Sequence, residues 1–213
     1  MPALAPMGRR TALLVIDVQN DFLPGGSLVV PHGDEVVPLI NELVARPDWA
    51  LVVYTQDWHP ANHSSFAANF EGGAASFTEV ALPNGDTQIL WPTHCVQGSA
   101  GAELAAGLTR VPGAPIVRKG TVATTDSYSG FGDAAGGAIE RTELESALRS
   151  AHIDAVVVVG LALDYCVAYT CVDAARLGFG VTCLASACRG IAAKSVASAL
   201  AAMRAVGVGI VEE

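Results

Sequence analysis

Residues 155–178 read Ala155-Val-Val-Val-Val-Gly-Leu-Ala-Leu-Asp-Tyr-Cys166-Val-Ala-Tyr-Thr-Cys-Val-Asp-Ala-Ala-Arg-Leu-Gly178, and this stretch decides the fold. Its first five residues are apolar and mostly β-branched, which is typical of a strand buried on both faces of a parallel sheet. Apolar residues then recur at helical spacing from Tyr165, with Asp164 as the N-cap and Gly178 just after the end. The stretch therefore predicts a strand that leads directly into a helix, the building unit of α/β folds.

Cys166 falls in the first turn of this predicted helix. The free N–H groups and the dipole at a helix N-terminus stabilise a thiolate, and they also bind an oxyanion. This position therefore suits a nucleophile. A free cysteine is also common as a small buried hydrophobic residue, so the stretch by itself leaves a catalytic and a packing role open.

The rest of the chain repeats the alternation of strand and helix. Further strands are predicted at Thr11–Ile16, Ala50–Thr55, Pro115–Arg118, Val181–Ala185 and Val208–Val211. Further helices are predicted at Asp34–Ala45, Arg141–Ser150 and Lys194–Ala205. We therefore expect one α/β domain over residues 1–213, of which residues 1–10 form a loose leader. Its core would be a doubly wound, mostly parallel six-stranded sheet with helices on both faces.

Composition excludes several classes of partner. A net charge of -9 without any cluster of lysine and arginine disfavours binding to nucleic acid. No apolar run reaches transmembrane length and no signal peptide is evident, so we expect a cytoplasmic protein without a membrane partner. The five cysteines lack the spacing of a zinc finger or a disulfide framework, which favours reduced thiols. Assembly into a homo-oligomer stays open.

Two charged residues stand at the ends of predicted strands. Asp17 follows Thr11–Ile16, and the carboxyl edge of a parallel sheet is where ligands bind in such folds. An aspartate there also commonly just starts a turn. Lys119 follows Pro115–Arg118; such a lysine usually extends to solvent, but it stabilises a thiolate or carboxylate that it reaches.

A metal site is indicated by Asp57 and His59. The two residues are two apart, so in an extended chain their side chains leave on the same face. A carboxylate and an imidazole on one side are a plausible beginning of a divalent metal site, which then needs a third ligand. His94 is the best candidate and His63 is its competitor. The alternative is that these histidines are ordinary hydrogen-bonded loop residues.

With these residues in view, the chain resembles the nicotinamidases of the isochorismatase-like cysteine hydrolase superfamily. The similarity extends from about Ala12 to Val211. It is carried by six motifs: Val-Ile-Asp17-Val-Gln-Asn-Asp-Phe, Asp57-Trp-His59-Pro-Ala-Asn-His63-Ser-Ser-Phe, Trp91-Pro-Thr-His94-Cys-Val-Gln, Lys119-Gly, Asp126-Ser-Tyr-Ser-Gly-Phe and Gly160-Leu-Ala-Leu-Asp-Tyr-Cys166-Val. The Asp-x-His and Trp-Pro-x-His motifs distinguish nicotinamidases from relatives that lack a metal.

The resemblance implies a role for each of these residues. It implies a catalytic triad of Asp17, Lys119 and Cys166, and an oxyanion hole built from the backbone N–H groups of Ala162 and Cys166. A cis peptide bond between Leu161 and Ala162 is part of that expectation. The implied metal ligands are Asp57, His59 and His94, with His63 as a fourth ligand or a supporting group. The implied aromatic contacts to the substrate ring are Phe22, Trp91, Tyr128 and Tyr165.

The implied activity is hydrolysis of nicotinamide to nicotinic acid and ammonia through a cysteine thioester, in NAD salvage, with pyrazinamide as a further substrate. The implied cofactor is one divalent metal ion, zinc, with iron and manganese as alternatives. Leu163 departs from the family, which usually carries threonine there. Two other functions remain. One is another hydrolase of the same superfamily, either a metal-free enzyme acting on isochorismate or a carbamoyl amide or an amidohydrolase acting on a different small amide, and the other is a scaffold protein that has lost the chemistry.

Overall fold

The computed structural model describes residues 10–81, 87–132 and 141–212. The predicted leader at 1–10 therefore lies outside the described residues except for Arg10. Among the residues that are described, no helix is both long and apolar enough to cross a lipid bilayer.

Six strands form one fully parallel sheet, as the sequence predicts. In chain order the strands of the described chain are β1 (Thr11–Ile16), β2 (Leu51–Asp57), β3 (Glu79–Ala81), β4 (Thr87–Ile89), β5 (Ile116–Lys119), β6 (Ala155–Leu161), β7 (Gly180–Arg189) and β8 (Gly209–Val211). The main sheet has the order β5-β2-β1-β6-β7-β8. β3 and β4 pair separately as a small two-stranded antiparallel sheet, and neither is among the strands predicted from the sequence.

Helices cover both faces of this sheet. The four α-helices of the described chain are α1 (Val36–Val44), α2 (Leu144–Ser150), α3 (Ala168–Arg176) and α4 (Ala193–Ala205). Side chains of β1 alternate between the two faces because successive residues of a strand point in opposite directions. Leu14 belongs to the core beneath α2, α3 and α4, whereas Leu13 belongs to the core beneath α1.

The order of the strands explains where a site can form. The chain builds outward from β1 through β2 to β5, and then returns to place β6 on the other side of β1. Loops after β1 and β6 therefore leave in opposite directions, which opens a crevice at the carboxyl ends of these two strands. Asp17 follows β1 and Cys166 follows β6, so both lie at this crevice.

The structure corrects the helix predicted to begin at Tyr165. Leu163–Val167 forms a π-helical turn, and α3 begins only at Ala168. Asp164 does not cap its own helix. Its carboxylate accepts hydrogen bonds from the backbone N–H groups of Ile191 and Ala192 and from the Ser195 hydroxyl, at the start of α4. The prediction that Asp164 caps the helix directly after it is therefore wrong. Asp164 instead supports the start of a helix about 30 positions later.

Candidate active site

The structure brings Asp17, Lys119 and Cys166 into one buried cluster. The Lys119 ammonium lies 3.0 Å from Asp17 Oδ2 and 3.4 Å from Cys166 Sγ, and it also contacts Asp57 Oδ1. Lys119 and Asp17 are fully buried and Cys166 is nearly so. Lys119 thus does not extend to solvent, and Asp17 does more than start a turn. Residues at or after the ends of three different strands therefore form one buried cluster.

Parallel pairing explains why Lys119 meets Asp57. In the register of β2 and β5, Asp57 lies opposite Lys119 at the last paired position of each strand. Asp17 reaches the same point from β1, the neighbour of β2 on its other side. The ammonium is therefore held between two carboxylates by the sheet itself.

Burial and charge set the protonation of this cluster. Burial raises the pKa of Asp17 above its ordinary value, although Lys119 opposes the shift. Burial alone would raise the pKa of Asp57 too, but Lys119, His59 and His94 together outweigh it and the pKa is lowered. Burial raises the pKa of Cys166 well above that of a free thiol. Because a higher pKa makes Asp17 a stronger base, this carboxylate suits the task of taking the thiol proton.

Asp57, His59 and His94 form a second cluster beside the first. One ligand atom from each of these buried residues lies within 4.8 Å of the others. His59 Nδ1 lies 2.8 Å from the Gly120 carbonyl, and His94 Nδ1 lies 2.7 Å from the Pro92 carbonyl. A carbonyl only accepts, so each Nδ1 carries a proton and each neutral ring keeps its lone pair on Nε2. These Nε2 atoms lie 3.6 and 3.9 Å from Asp57 Oδ2.

His63 is oriented differently from the other two histidines. Its Nδ1 accepts a hydrogen bond from the Ser65 backbone N–H and lies 2.7 Å from the Ser65 hydroxyl. Its Nε2 lies 3.1 Å from the Thr125 carbonyl and therefore carries the proton. The only lone pair of the neutral ring thus faces Ser65. The ring packs on His59 with 4.3 Å between centroids, so His63 adjoins the cluster without directing a lone pair into it.

An open pocket of about 380 Å³ lies directly above both clusters. Four aromatic side chains named from the sequence line it: Phe22, Trp91, Tyr128 and Tyr165. The Trp91 indole N–H donates to the Tyr128 hydroxyl over 3.0 Å, and the rings of Trp91 and Tyr165 meet edge to face at 4.9 Å. Ala162 and Cys166 contribute to the same lining, whereas Asp17 and Lys119 lie beneath it. The pocket is therefore largely apolar, with the thiol at its base.

The backbone before Cys166 contains one feature that the resemblance implies. The peptide bond between Leu161 and Ala162 is cis. The Ala162 carbonyl accepts hydrogen bonds from the N–H groups of Tyr165 and Val167, which closes the π-helical turn around Cys166. Leu163 points into the core beneath the helices and does not line the pocket. The leucine at position 163, where the family usually has threonine, therefore removes no group that faces the pocket.

Several residues of the site were not identified from the sequence. The Thr55 hydroxyl donates to Asp17 Oδ1 over 2.6 Å and accepts from the Asp17 backbone N–H over 3.1 Å. Asp126 lines the pocket and accepts a hydrogen bond from Gln88 over 2.8 Å. Gly120 packs so closely on His59 that a Cβ atom would overlap the imidazole. Gly120 and Asp126 did carry a local signal, since each belongs to one of the quoted motifs, whereas Thr55 belongs to none.

Comparison with known proteins agrees with this geometry. The family model described as "Isochorismatase domain" matches residues 11–212. The nicotinamidase of Escherichia coli (strain K12) is 44% identical over 185 residues, covering 84% of this chain and 83% of the relative.

Two solved structures are also similar. A nicotinamidase/pyrazinamidase of Acinetobacter baumanii superposes with a TM-score of 0.88 at 42% identity, covering 97% of this chain and 98% of that one. A pyrazinamidase of Pyrococcus horikoshii in complex with zinc has a TM-score of 0.78 at 36% identity, covering 96% and 99%. Since the family model spans almost the whole chain and relatives of high identity cover most of it, the chain belongs to the isochorismatase family, and these relatives within it are nicotinamidases and pyrazinamidases.

Proposed function

We propose that this protein is a nicotinamidase, which hydrolyses nicotinamide to nicotinic acid and ammonia through a thioester on Cys166. The observation that carries the proposal is the contact of Lys119 with Asp17, Asp57 and Cys166 at the floor of an aromatic pocket. The high identity to nicotinamidases supports the choice of substrate. Pyrazinamide, which has the same ring size and the same carboxamide, is a second substrate, and the product acid re-enters NAD synthesis by salvage.

In the first half of the reaction, Asp17 takes the proton of the Cys166 thiol. The thiolate attacks the carboxamide carbon, and the backbone N–H groups of Ala162 and Cys166 hold the resulting oxyanion. Lys119 offsets the negative charge that is shared by the carboxylates and the thiolate. Asp17 then returns its proton to the leaving nitrogen, so ammonia departs and the thioester remains.

In the second half, water hydrolyses the thioester. Asp17 accepts a proton from the attacking water, and the carbonyl oxygen again takes up negative charge in the same oxyanion hole. Collapse of this intermediate breaks the carbon–sulfur bond and releases nicotinic acid, and Asp17 returns its proton to the departing thiolate, which restores the thiol. Asp17 thus serves as base and acid in turn, which its raised pKa favours.

Asp57, His59 and His94 suit a divalent metal ion. Two imidazole lone pairs and one carboxylate oxygen are a donor set that zinc accepts with water completing the shell, and iron and manganese accept the same atoms. We assign zinc because a similar structure is a complex with that metal. When bound, the metal supplies a Lewis-acidic contact for the pyridine nitrogen and so orients the ring. His63 supports His59 by ring contact, as its lone pair faces Ser65.

Ammonia release from nicotinamide tests both parts of the proposal. We expect release by the zinc-loaded protein, loss of release after the metal is removed with a chelator, and recovery when zinc is restored. Cys166→Ala should remain folded and lose at least about 10³-fold in kcat, because the nucleophile is absent. Cys171→Ala is the matched control, since this buried cysteine packs in the core away from the pocket.

Each outcome has a separate meaning. Turnover by Cys166→Ala at the rate of Cys171→Ala would exclude the thioester route. Turnover that survives complete metal removal would exclude the metal from the reaction while leaving the cysteine chemistry in place. A zinc-loaded protein that releases no ammonia would point to another small amide as the substrate.

A further inference from the structure

The side chain of Gln19 binds the backbone of Asp57 at two points. Gln19 Oε1 accepts a hydrogen bond from the Asp57 N–H over 2.8 Å, and Gln19 Nε2 donates to the Asp57 carbonyl over 2.9 Å. Nε2 also donates to the Ala102 carbonyl over 2.7 Å. The side chain is completely buried. One amide group therefore fixes both the N–H and the C=O of a single residue.

The pairing of β1 with β2 explains why the backbone N–H and C=O of Asp57 need a side-chain partner. β1 and β2 pair from Ala12 opposite Leu51 to Val15 opposite Tyr54, and β1 ends one residue later. Asp17 then has a positive φ of 47°, which turns the chain away from the sheet. β2 continues to Asp57 without a strand on that side. Buried peptide groups must find partners, and a primary amide offers the same donor and acceptor as a missing peptide unit.

The position of Asp57 matters for both clusters of the site. One carboxylate oxygen contacts Lys119, and the other lies between the Nε2 atoms of His59 and His94. A metal site holds its ion well only when the ligand atoms are placed within a few tenths of an ångström. We propose that Gln19 is a positioning residue that sets metal affinity by holding the Asp57 backbone where β1 no longer pairs with β2. This inference rests on the proposed metal site.

The chain contains a matched control for this proposal. Gln56 is also buried, and its Nε2 donates to the same Ala102 carbonyl over 2.9 Å. Replacement of either glutamine by methionine keeps the length of the side chain and removes a hydrogen bond to that carbonyl. Only the replacement of Gln19 also releases the N–H and C=O of Asp57. The comparison therefore separates a loss of general stability from a loss of positioning.

The experiment measures the dissociation constant of zinc by competition with a chromophoric chelator, on metal-stripped wild type, Gln19→Met and Gln56→Met. Urea unfolding of the same stripped samples gives the stability of each. We expect Gln19→Met to bind zinc about 10- to 100-fold more weakly than wild type, the usual effect of losing a group that orients a ligand. We expect Gln56→Met to bind zinc within about 3-fold of wild type, well below that loss.

The outcomes distinguish the inference from the function on which it rests. If the wild type binds zinc and the two variants bind it with equal affinity, the role of Gln19 is overturned and the metal site remains intact. A wild type that binds no zinc overturns the metal site and this inference together. If Gln19→Met does not fold, Gln19→Asn and Gln56→Asn repeat the comparison, because the shorter amide side chain cannot span both backbone groups of Asp57.

Discussion

Lys119 joins three groups of the site, because its ammonium contacts two carboxylates and a thiol. Burial alone would lower the pKa of this lysine, but Asp17 and Asp57 raise it well above its ordinary value. The residue is therefore charged throughout the physiological range. Its charge is what allows two aspartates to be buried next to each other.

Lys119→Met should consequently destabilise the fold as well as abolish catalysis. Removal of one partner from a buried ionic cluster leaves charge without compensation and typically costs about 3–5 kcal/mol. Urea unfolding at pH 7 measures the loss. Lys194→Met is the control, because Lys194 is exposed and should change the free energy of unfolding by less than about 0.5 kcal/mol. Equal stability of the two variants would contradict the account of the buried cluster.

At the scale of residues, the sequence indicated the candidate catalytic side chains better than the side chains that position them. Asp17, Lys119 and Cys166 were recognisable because each stands at or just beyond a strand end and matches a family motif. Thr55 and Gln19 were not assigned roles, because each acts on a residue 38 positions away in the chain. Such contacts depend on which strands are neighbours and in what register, and local patterns of residues do not contain that information.

Among the elements, the turn after β5 shows how closely the backbone packs against His59 of the proposed metal site. Gly120 has a positive φ of 63°, and its carbonyl accepts the hydrogen bond of His59 Nδ1. A side chain at this position would be strained by the backbone and would also collide with the imidazole. The turn after β5 therefore needs glycine for two separate reasons.

Gly120→Ala should reduce zinc affinity by at least about tenfold, since the His59 ring has to move. Gly113→Ala is a matched control, because Gly113 also has a positive φ, of 77°, but has open space around the position of a Cβ atom. Both variants carry the backbone strain, and only the first carries the collision. Calorimetric titration of zinc into the two stripped proteins makes the comparison, and equal affinities would show that His59 does not depend on Gly120.

Elements were predicted well where a long periodic pattern existed. All six strands of the main sheet and the helices α1 to α4 appear where the apolar runs and the helical spacing of apolar residues placed them, with shifts at their ends. The π-helical turn at Leu163–Val167 was taken for the first turn of a helix. Both geometries place apolar residues at similar spacings, so periodicity does not separate them.

For the molecule as a whole, buried thiols predict a response to alkaline pH. Burial raises the pKa of Cys95, Cys166 and Cys188 well above the ordinary value. Unfolded thiols release their protons above about pH 8.5, whereas the folded chain retains them. The folded state therefore binds more protons in that range, and its stability is complete below about pH 8.5 and declines as the pH rises.

We expect the free energy of unfolding to fall between pH 8.5 and pH 10 by up to about 1.4 kcal/mol per pH unit for each such thiol. Urea titrations in the presence of reductant measure this slope. Cys188→Ala should make the decline shallower than in the wild type. A free energy of unfolding that is constant over this range would contradict the prediction.

The fold of the whole molecule was predictable because a parallel sheet buried on both faces requires strands that are apolar throughout. The order of the strands does not follow from such patterns, because every buried strand is apolar in the same way and any two could be neighbours. The structure supplies that order, and its main effect is to place β6 next to β1.

The return of the chain to place β6 beside β1 also has a consequence for biosynthesis. β1 leaves the ribosome before the other strands of the sheet and becomes an interior strand, but its neighbour β6 follows roughly 140 residues later. At about 5–20 residues per second, one edge of β1 waits on the order of 10 s for its partner. Throughout that interval a strand with five apolar residues out of six offers unpaired N–H and C=O groups to any other extended chain. The nascent polypeptide is thus most vulnerable to aggregation while the ribosome translates the segment between these two strands, and a chaperone bound to β1 would protect it there.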